Sequence, residues 1–306
     1  MNRDEASNAS PGTWSGIAET VRNLRVPAIG KIMFKIAPMR RATVNANLRI
    51  AFGAELNEQE LDKLAAAFYG HIAVTFWENL RFAWISQNAL KNHIRVEGMD
   101  NLIDASLKHQ RGMLLLGGHF GNWELAPMAG SLHYPEFRGR LHILRRQLVN
   151  KTVERILFRR FYQMGLDIIP KRNSLARVMD ALSRSDAVGF IMDQFAKPGK
   201  EGLVANFFGK PAGTFKSLAL VARSSGAPVL PAYSWREAPD KHVFRFEPPL
   251  TWIDHPDSDE EIRLNTENYN RVLERIIRQH PEQWLWLHKR WKDKGMHMRP
   301  TDKLKV

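Results

Sequence analysis

Met113-Leu-Leu-Leu-Gly-Gly-His-Phe-Gly-Asn-Trp-Glu124 is the stretch from which this chain can be read. Met113 to Leu116 are consecutive apolar residues, which suits a short strand buried in a sheet. They run into Gly117-Gly118, where the backbone can turn sharply or come close to a ligand. His119, Asn122 and Glu124 follow at once. A buried strand that ends in glycines and then a titratable pair is where an open α/β sheet keeps its chemistry. Residues five apart on a regular helix are rotated by about 140°. Glu124 can therefore reach His119 only across a turn, which Gly121 permits, with a helix starting near Asn122 or Trp123 and Asn122 as its N-cap. A carboxylate on one imidazole nitrogen fixes the tautomer and strengthens the other nitrogen as a base. The same residues also fit a capped helix beside an incidental histidine.

Outward from this stretch the pattern alternates short strands and helices. Strands are expected at Ile94–Glu97, Leu141–Leu144, Asp167–Pro170, Ala187–Met192, Val204–Phe208, Pro228–Trp235 and Val243–Phe246. Helices are expected at Asp100–His109, Trp123–Leu132, Asn150–Met164, Ser174–Ser183, Thr214–Ser224 and Asp257–Gln279. Such alternation without a break implies an α/β domain over residues 94–292 with a mainly parallel central sheet flanked by helices. The strand ends at His119, Arg145-Arg146 and Asp193 should then lie near one another.

Residues 1–13 are polar and read as disordered, and 293–306 as a loose tail. Residues 14–93 read as a helical, membrane-proximal segment. Within it, Trp14–Arg41 interleaves apolar residues with Arg22, Arg25, Lys31, Lys35, Arg40 and Arg41, broken by Pro27 and Pro38. A basic amphipathic segment of this kind fits an anionic membrane surface, or a helix docked on the domain with a solvated basic face. Leu61, Leu64, Phe68, Ile72 and Phe76 keep helical spacing and are read as core, with a lipid groove as the alternative. His71 and Glu78 in that helix are read as structural.

The chain has 306 residues, a net charge of +13 and no cysteine. Disulfides, thiolate nucleophiles and cysteine metal sites are thereby excluded. The positive charge implies an anionic partner. No zinc-finger spacing, basic leucine zipper or RNA-recognition signature is present, so nucleic acid is not expected. No run of about 18 apolar residues exists to cross a bilayer, and no signal peptide is visible. There is also no G-x-S-x-G elbow, no Walker loop, no G-x-G-x-x-G and no metal-ligand spacing, so no metal or cofactor is called for. What is left is a His/Glu pair without a protein nucleophile. It suits an imidazole that takes the proton of a substrate hydroxyl, which then attacks an activated acyl group.

Gly118-His119-Phe-Gly-Asn-Trp-Glu124 resembles the H-x-x-x-x-[DE] motif of the glycerolipid acyltransferase superfamily. The finer resemblance is to its bacterial lipid A biosynthesis branch, the late lauroyl/myristoyl transferases. Four further blocks agree in order: Arg146-Gln-Leu-Val-Asn150, Asp193-Gln194, Phe207-Phe-Gly-Lys-Pro-Ala-Gly-Thr214 and Pro281–Lys292. The proline that usually follows the arginine is missing, and Arg145 could hold that arginine's place. The resemblance covers roughly residues 40–292. It implies His119 as general base, Glu124 as its orienting partner, and an acyl carrier protein or coenzyme A thioester as donor. It implies a glycolipid acceptor, a lipid A precursor, with another lipid acceptor or a non-catalytic lipid-binding homologue as alternatives.

The same resemblance implies substrate contacts from Arg145, Arg146, Asn150, Asp193, Gln194, Phe208, Gly209 and Thr214. For Asp193 a pairing with one of these arginines and a plain strand-end ion pair both stand, and Thr214 also reads as the cap of the next helix. The basic residues Arg138, Arg140, Arg145, Arg146, Lys151, Arg155, Arg159 and Arg160 suit sugar phosphates or an acidic carrier protein. Trp284, Trp286 and Trp291 suit either a membrane interface or core packing. A monomer attached peripherally or shallowly to the cytoplasmic face of the inner membrane completes the expectation, because the family's usual spanning helix is replaced by the proline-broken segment 14–41.

Overall fold

The computed structural model describes residues 16–36, 39–82, 84–109, 111–145, 152, 158–159 and 161–292. The termini, Pro38, Arg146, Asn150 and the basic residues Lys151, Arg155 and Arg160 named above lie outside the described residues. Of the helix expected over Asn150–Met164, positions 152, 158, 159 and 161–163 are helical and Met164 is in a turn, and the other positions lie outside the described residues.

A seven-stranded sheet forms the centre, in the order β1-β9-β8-β2-β5-β3-β4. The strands are β1 (Ile94–Glu97), β2 (Met113–Gly117), β3 (Leu141–Arg145), β4 (Leu166–Pro170), β5 (Ala187–Ile191), β8 (Val229–Ala238) and β9 (Lys241–Phe246). All neighbours pair in parallel except β8 and β9. β2 is buried along its whole length, as its apolar run requires of a central strand. The expected mainly parallel α/β architecture is the one observed.

Helices α1 (Ile17–Asn23), α2 (Ala28–Ile36), α3 (Arg41–Phe52) and α4 (Glu58–Phe82) precede the sheet. α4 starts in a capping box: Asn57 Oδ1 accepts from the Glu60 N–H, and Glu60 Oε2 accepts from the Asn57 N–H, each at 3.0 Å. α2 can cross α4 closely because Gly30 has no Cβ, which would fall 2.3 Å from the Ala66 carbonyl oxygen. Val44, Leu48 and Phe52 of α3 share one apolar core with Leu116, Phe120 and Trp286, so the helical segment packs directly on the site-bearing side of the sheet. Among the described residues no helix is long and apolar enough to cross a membrane.

The expected core stripe of α4 divides. Leu61, Leu64 and Phe68 are buried, whereas Phe76 is 66% and Trp77 65% exposed. Helical spacing marks a continuous face but not where the covering layer stops. Trp284 and Trp286 are fully buried and Trp291 stacks on Phe207, so of the two readings of these tryptophans the structure shows core packing.

Two further strands form a hairpin, β6 (Gly202–Phe207) and β7 (Lys210–Phe215). Phe208 and Gly209 make its turn with φ of 52° and 70°, the left-handed pair that twists a two-residue hairpin correctly. Further helices are α5 (Gln87–Lys91), α6 (Met99–His109), α7 (Ala126–His133), α8 (Leu175–Ser183), α9 (Ser217–Ser225) and α10 (Ser258–Gln279).

Candidate active site

β2, β3 and β5 lie side by side and run the same way, so the residues that follow them meet at one edge. His119 follows β2, Arg145 ends β3, and Asp193-Gln194 follow β5, which brings together the three strand ends expected to converge. The chain turns after β2 at Gly121, whose φ is +60° and where a Cβ would lie 2.2 Å from the Ser234 carbonyl oxygen. Asn122 accepts from the Leu125 N–H through Oδ1 at 3.2 Å, and α7 begins only at Ala126. The turn required between His119 and Glu124 is therefore present, with the helix starting three residues later than Trp123.

The carboxylate on the imidazole is not the expected one. His119 Nδ1 lies 2.9 Å from Asp193 Oδ1, and the His119 backbone N–H donates to Asp193 Oδ2 at 2.7 Å. Glu124 instead accepts from Arg145 Nη1 at 3.3 Å. The Arg145 guanidinium sits 4.0 Å over the Phe158 ring, which fixes its direction. Asp193 thus orients His119, and among the described residues no arginine pairs with it. Glu124 influences the imidazole only through space.

An ionised carboxylate only accepts, so Nδ1 carries the proton and Nε2 presents a lone pair. Burial disfavours the charged ring, but Asp193, by charge and hydrogen bond, and then Glu124 outweigh it and raise the His119 pKa. Burial likewise opposes ionisation of Asp193, yet His119 and the Trp284 indole N–H, which donates to Oδ2 at 2.8 Å, lower its pKa to about 2. Gln194 Nε2 lies 3.4 Å from His119 Nε2.

Two supports hold this loop, and sequence reasoning assigned neither. The C-terminal segment clamps it: the Leu285 N–H donates to the His119 carbonyl and the Gly121 N–H to the Gln283 carbonyl, each at 3.0 Å. Beneath it lies a buried ion pair. Arg236 donates to Glu78 through Nε at 2.8 Å and Nη2 at 2.6 Å. Asn122 Nδ2 donates to Glu78 at 3.2 Å, and His71 Nε2 lies 3.3 Å from the Gly121 carbonyl oxygen. Burial, then the Arg236 charge, pushes the His71 pKa down to about 3, so its ring is neutral. The structural reading of His71 and Glu78 fits these contacts. The signal that could have found their importance is the pairing of a buried glutamate in α4 with Arg236 in β8, which only the fold makes visible.

His119, Glu124, Arg145 and Gln194 line a cavity of about 830 Å³. Most of its other walls are apolar, including Leu141, Ile143, Phe161, Phe190 and Phe244, with Lys171, Ser217 and Ser234 among them, a composition typical of a pocket for a largely apolar ligand. Phe208, Gly209 and Thr214 do not line it. Thr214 belongs to β7, where its hydroxyl donates to the Ala212 carbonyl and accepts from Arg290 at 2.8 Å. It caps no helix, since α9 starts at Ser217. Pro211 and the glycines around it resemble a loop in sequence, but they form a paired hairpin. Among the described residues no three His, Asp or Glu side chains cluster to hold a metal ion.

The surface carries an exposed apolar set. Ile29, Ile32 and Ile36 of α2 and Met39 are 44–78% exposed, and Phe76, Trp77, Leu80 and Trp84 are 48–90% exposed. Lys31 and Lys35 stand exposed among the former.

The sequence model of the bacterial lipid A biosynthesis acyltransferases matches residues 14–293. The chain is 25% identical to the lipid A biosynthesis lauroyltransferase of Escherichia coli K12, over 92% of this chain and 91% of that protein. It is 26% identical to the lipid A biosynthesis palmitoleoyltransferase of the same organism, over 86% and 82% respectively. The crystal structure of the 1-acyl-sn-glycerophosphate acyltransferase PlsC from Thermotoga maritima superposes with a TM-score of 0.37 at 14% identity, covering 80% of this chain and 98% of that one.

Proposed function

The chain belongs to the bacterial lipid A biosynthesis acyltransferase family and is an acyltransferase, and from that premise we propose how it works. It moves a fatty acyl chain from a thioester of acyl carrier protein or coenzyme A to a hydroxyl of a lipid A precursor. One observation carries this reading: a histidine whose Nδ1 is held by a buried carboxylate and which lines a large, mostly apolar cavity.

In this mechanism the acyl chain occupies the cavity with its thioester carbonyl beside Nε2. The acceptor hydroxyl gives its proton to Nε2 as its oxygen bonds to the carbonyl carbon. Charge collects on the carbonyl oxygen, and the Gln194 amide and Arg145 guanidinium are donors available from the cavity wall. The intermediate then breaks its carbon–sulfur bond, and the thiolate takes the proton from the imidazolium. Asp193 stabilises that imidazolium without being protonated, which its pKa of about 2 favours. Glu124 holds Arg145 against the cavity wall and adds negative charge near the ring.

The exposed set on α2 and at the end of α4, flanked by lysines, supports peripheral attachment to an anionic membrane, where the acceptor resides. The test is direct: purified protein is given defined acyl thioesters and a lipid A precursor, and products are read by mass spectrometry. Ester formation coupled to thiol release is the expected result. Thioester binding with no transfer to any glycolipid would refute the reading.

A further inference from the structure

Gln194, beside His119, lines two cavities. Across Gln194 from the apolar one lies a second, of about 570 Å³, lined among others by Arg40, Thr43, His288, Lys289 and Lys292. We propose that this second cavity is a phosphoryl-binding subsite, which seats a phosphate of the substrate whose reacting end meets His119. This inference rests on the acyl-transfer reading above, and it assigns a role to residues that the catalytic description does not use.

The charge of the pocket is unbalanced. Among the described residues no Asp or Glu lines it, whereas Arg145 and Arg236 each face a carboxylate. A surface cluster of cations without acids repels itself unless an anion is seated there. Two of the cations, Arg40 and Lys292, are also held in place. Arg40 donates from Nη1 to the Leu287 carbonyl at 3.2 Å, and its φ of 56° is a left-handed conformation that a non-glycine residue adopts at a cost. The Lys292 ammonium lies 4.7 Å over the Phe195 ring. Asn47 donates to the carbonyls of Trp286 and His288 at 2.8 and 2.7 Å, which anchors the strip that carries His288 and Lys289.

The pocket connects to the reaction centre through one side chain. Gln194 Nε2 lies 3.2 Å from His288 Nε2 and 3.4 Å from His119 Nε2, and the two imidazole rings are 5.6 Å apart. Burial, then the charges of His119, Arg40 and Lys292, hold the His288 pKa below its ordinary value against the pull of Asp193. A guanidinium, two ammonium groups, a hydroxyl and an amide exceed what a single carboxylate can satisfy. They match a phosphate monoester, with nearly two charges on three oxygens. Two sources share that chemistry: a phosphate on the acceptor sugar and the phosphate of the donor's phosphopantetheine arm.

The experiment uses the full-length protein and two probe pairs, 4′-phosphopantetheine against pantetheine and glucosamine 1-phosphate against glucosamine. Binding is followed by calorimetry and by the NMR titration of His288. In one pair the phosphorylated probe should bind about tenfold tighter or more and raise the His288 pKa. The Lys289→Ala/Lys292→Ala variant should erase that difference, and Lys289→Gln alone should weaken it; both are read at an unchanged thermal midpoint. The pair that responds identifies the source. Equal binding within both pairs, or a difference that survives the double variant, overturns the subsite. Because binding is read without turnover, a protein that seats the phosphate but transfers no acyl chain refutes the proposed function and leaves the subsite standing.

Discussion

Asp193 grips His119 at two points, through the ring Nδ1 at 2.9 Å and through the backbone N–H at 2.7 Å. The second contact fixes where the residue sits, and the first fixes which way the ring points. Trp284 closes the remaining side of the carboxylate, so Asp193 is left with little freedom to turn elsewhere.

Replacing either partner should show this hierarchy. His119→Ala should lower turnover by roughly 10²–10⁴. Asp193→Asn should lower it on the same scale, because an amide can donate to Nδ1 and stabilise the wrong tautomer. Glu124→Gln releases Arg145 but leaves the Nδ1 contact in place. NMR of the Nδ1 proton separates the two: it should persist in Glu124→Gln and vanish or shift strongly in Asp193→Asn. The reverse pattern would restore Glu124 as the orienting partner.

The same pair sets a pH dependence. A base must be neutral, and the His119 pKa is raised, so activity should climb with pH through a value above the ordinary 6.5. Asp193→Asn should move that rise to lower pH. For stability the signs differ. The raised histidine contributes fully below 6.5 and loses its contribution as pH rises through its folded value. The depressed aspartate contributes above 3.8 and loses its contribution as pH falls toward about 2. The pair therefore supports the fold most fully between those ordinary values. A kcat/KM profile and urea midpoints across pH test both limbs.

Much of this arrangement could be read from the chain. The apolar runs at Met113–Leu116 and Ala187–Met192 announced central strands, and the switch-point rule brought their ends together. The partner of His119 was not legible, because Asp193 lies 74 residues away whereas Glu124 is adjacent and chemically equivalent. Only the register of β5 beside β2 decides between them. The hairpin at Phe208-Gly209 was hidden for a local reason, since glycine and proline suggest a loop whether or not the flanks pair. Phe76 was misplaced because periodicity records a face and says nothing of its cover.

Glu78 and Arg236 form the buried support beneath the motif, and Glu78 is 1% exposed. Removing its charge would strand the guanidinium in a desolvated site. Glu78→Gln should destabilise the protein by about 3–5 kcal/mol, measured by urea unfolding. Burial opposes ionisation of Glu78, but Arg236 and His242 lower its pKa to about 2. Its contribution is thus present above the ordinary 4.5 and lost as pH falls toward 2. If the motif depends on this support, a hydrogen-exchange experiment should show the Gly121 and Leu285 amides exchanging faster in the variant. Unchanged protection there would limit Glu78 to a role in global stability.

The exposed aromatics offer a separate test of where the protein works. Trp84 is 90% and Trp77 65% exposed, a costly placement for large apolar rings in water. Burying one such side chain is worth about 1.5–3 kcal/mol. Trp77→Ser/Trp84→Ser should then weaken partition onto anionic vesicles by about tenfold or more, with little change in thermal midpoint because neither ring is packed. Lys31→Ala/Lys35→Ala should instead reduce binding selectively at low salt, where the electrostatic part is least screened. Vesicle flotation with anionic and neutral lipids resolves the two contributions. If both double variants bind as the wild type does, these side chains are not the attachment surface.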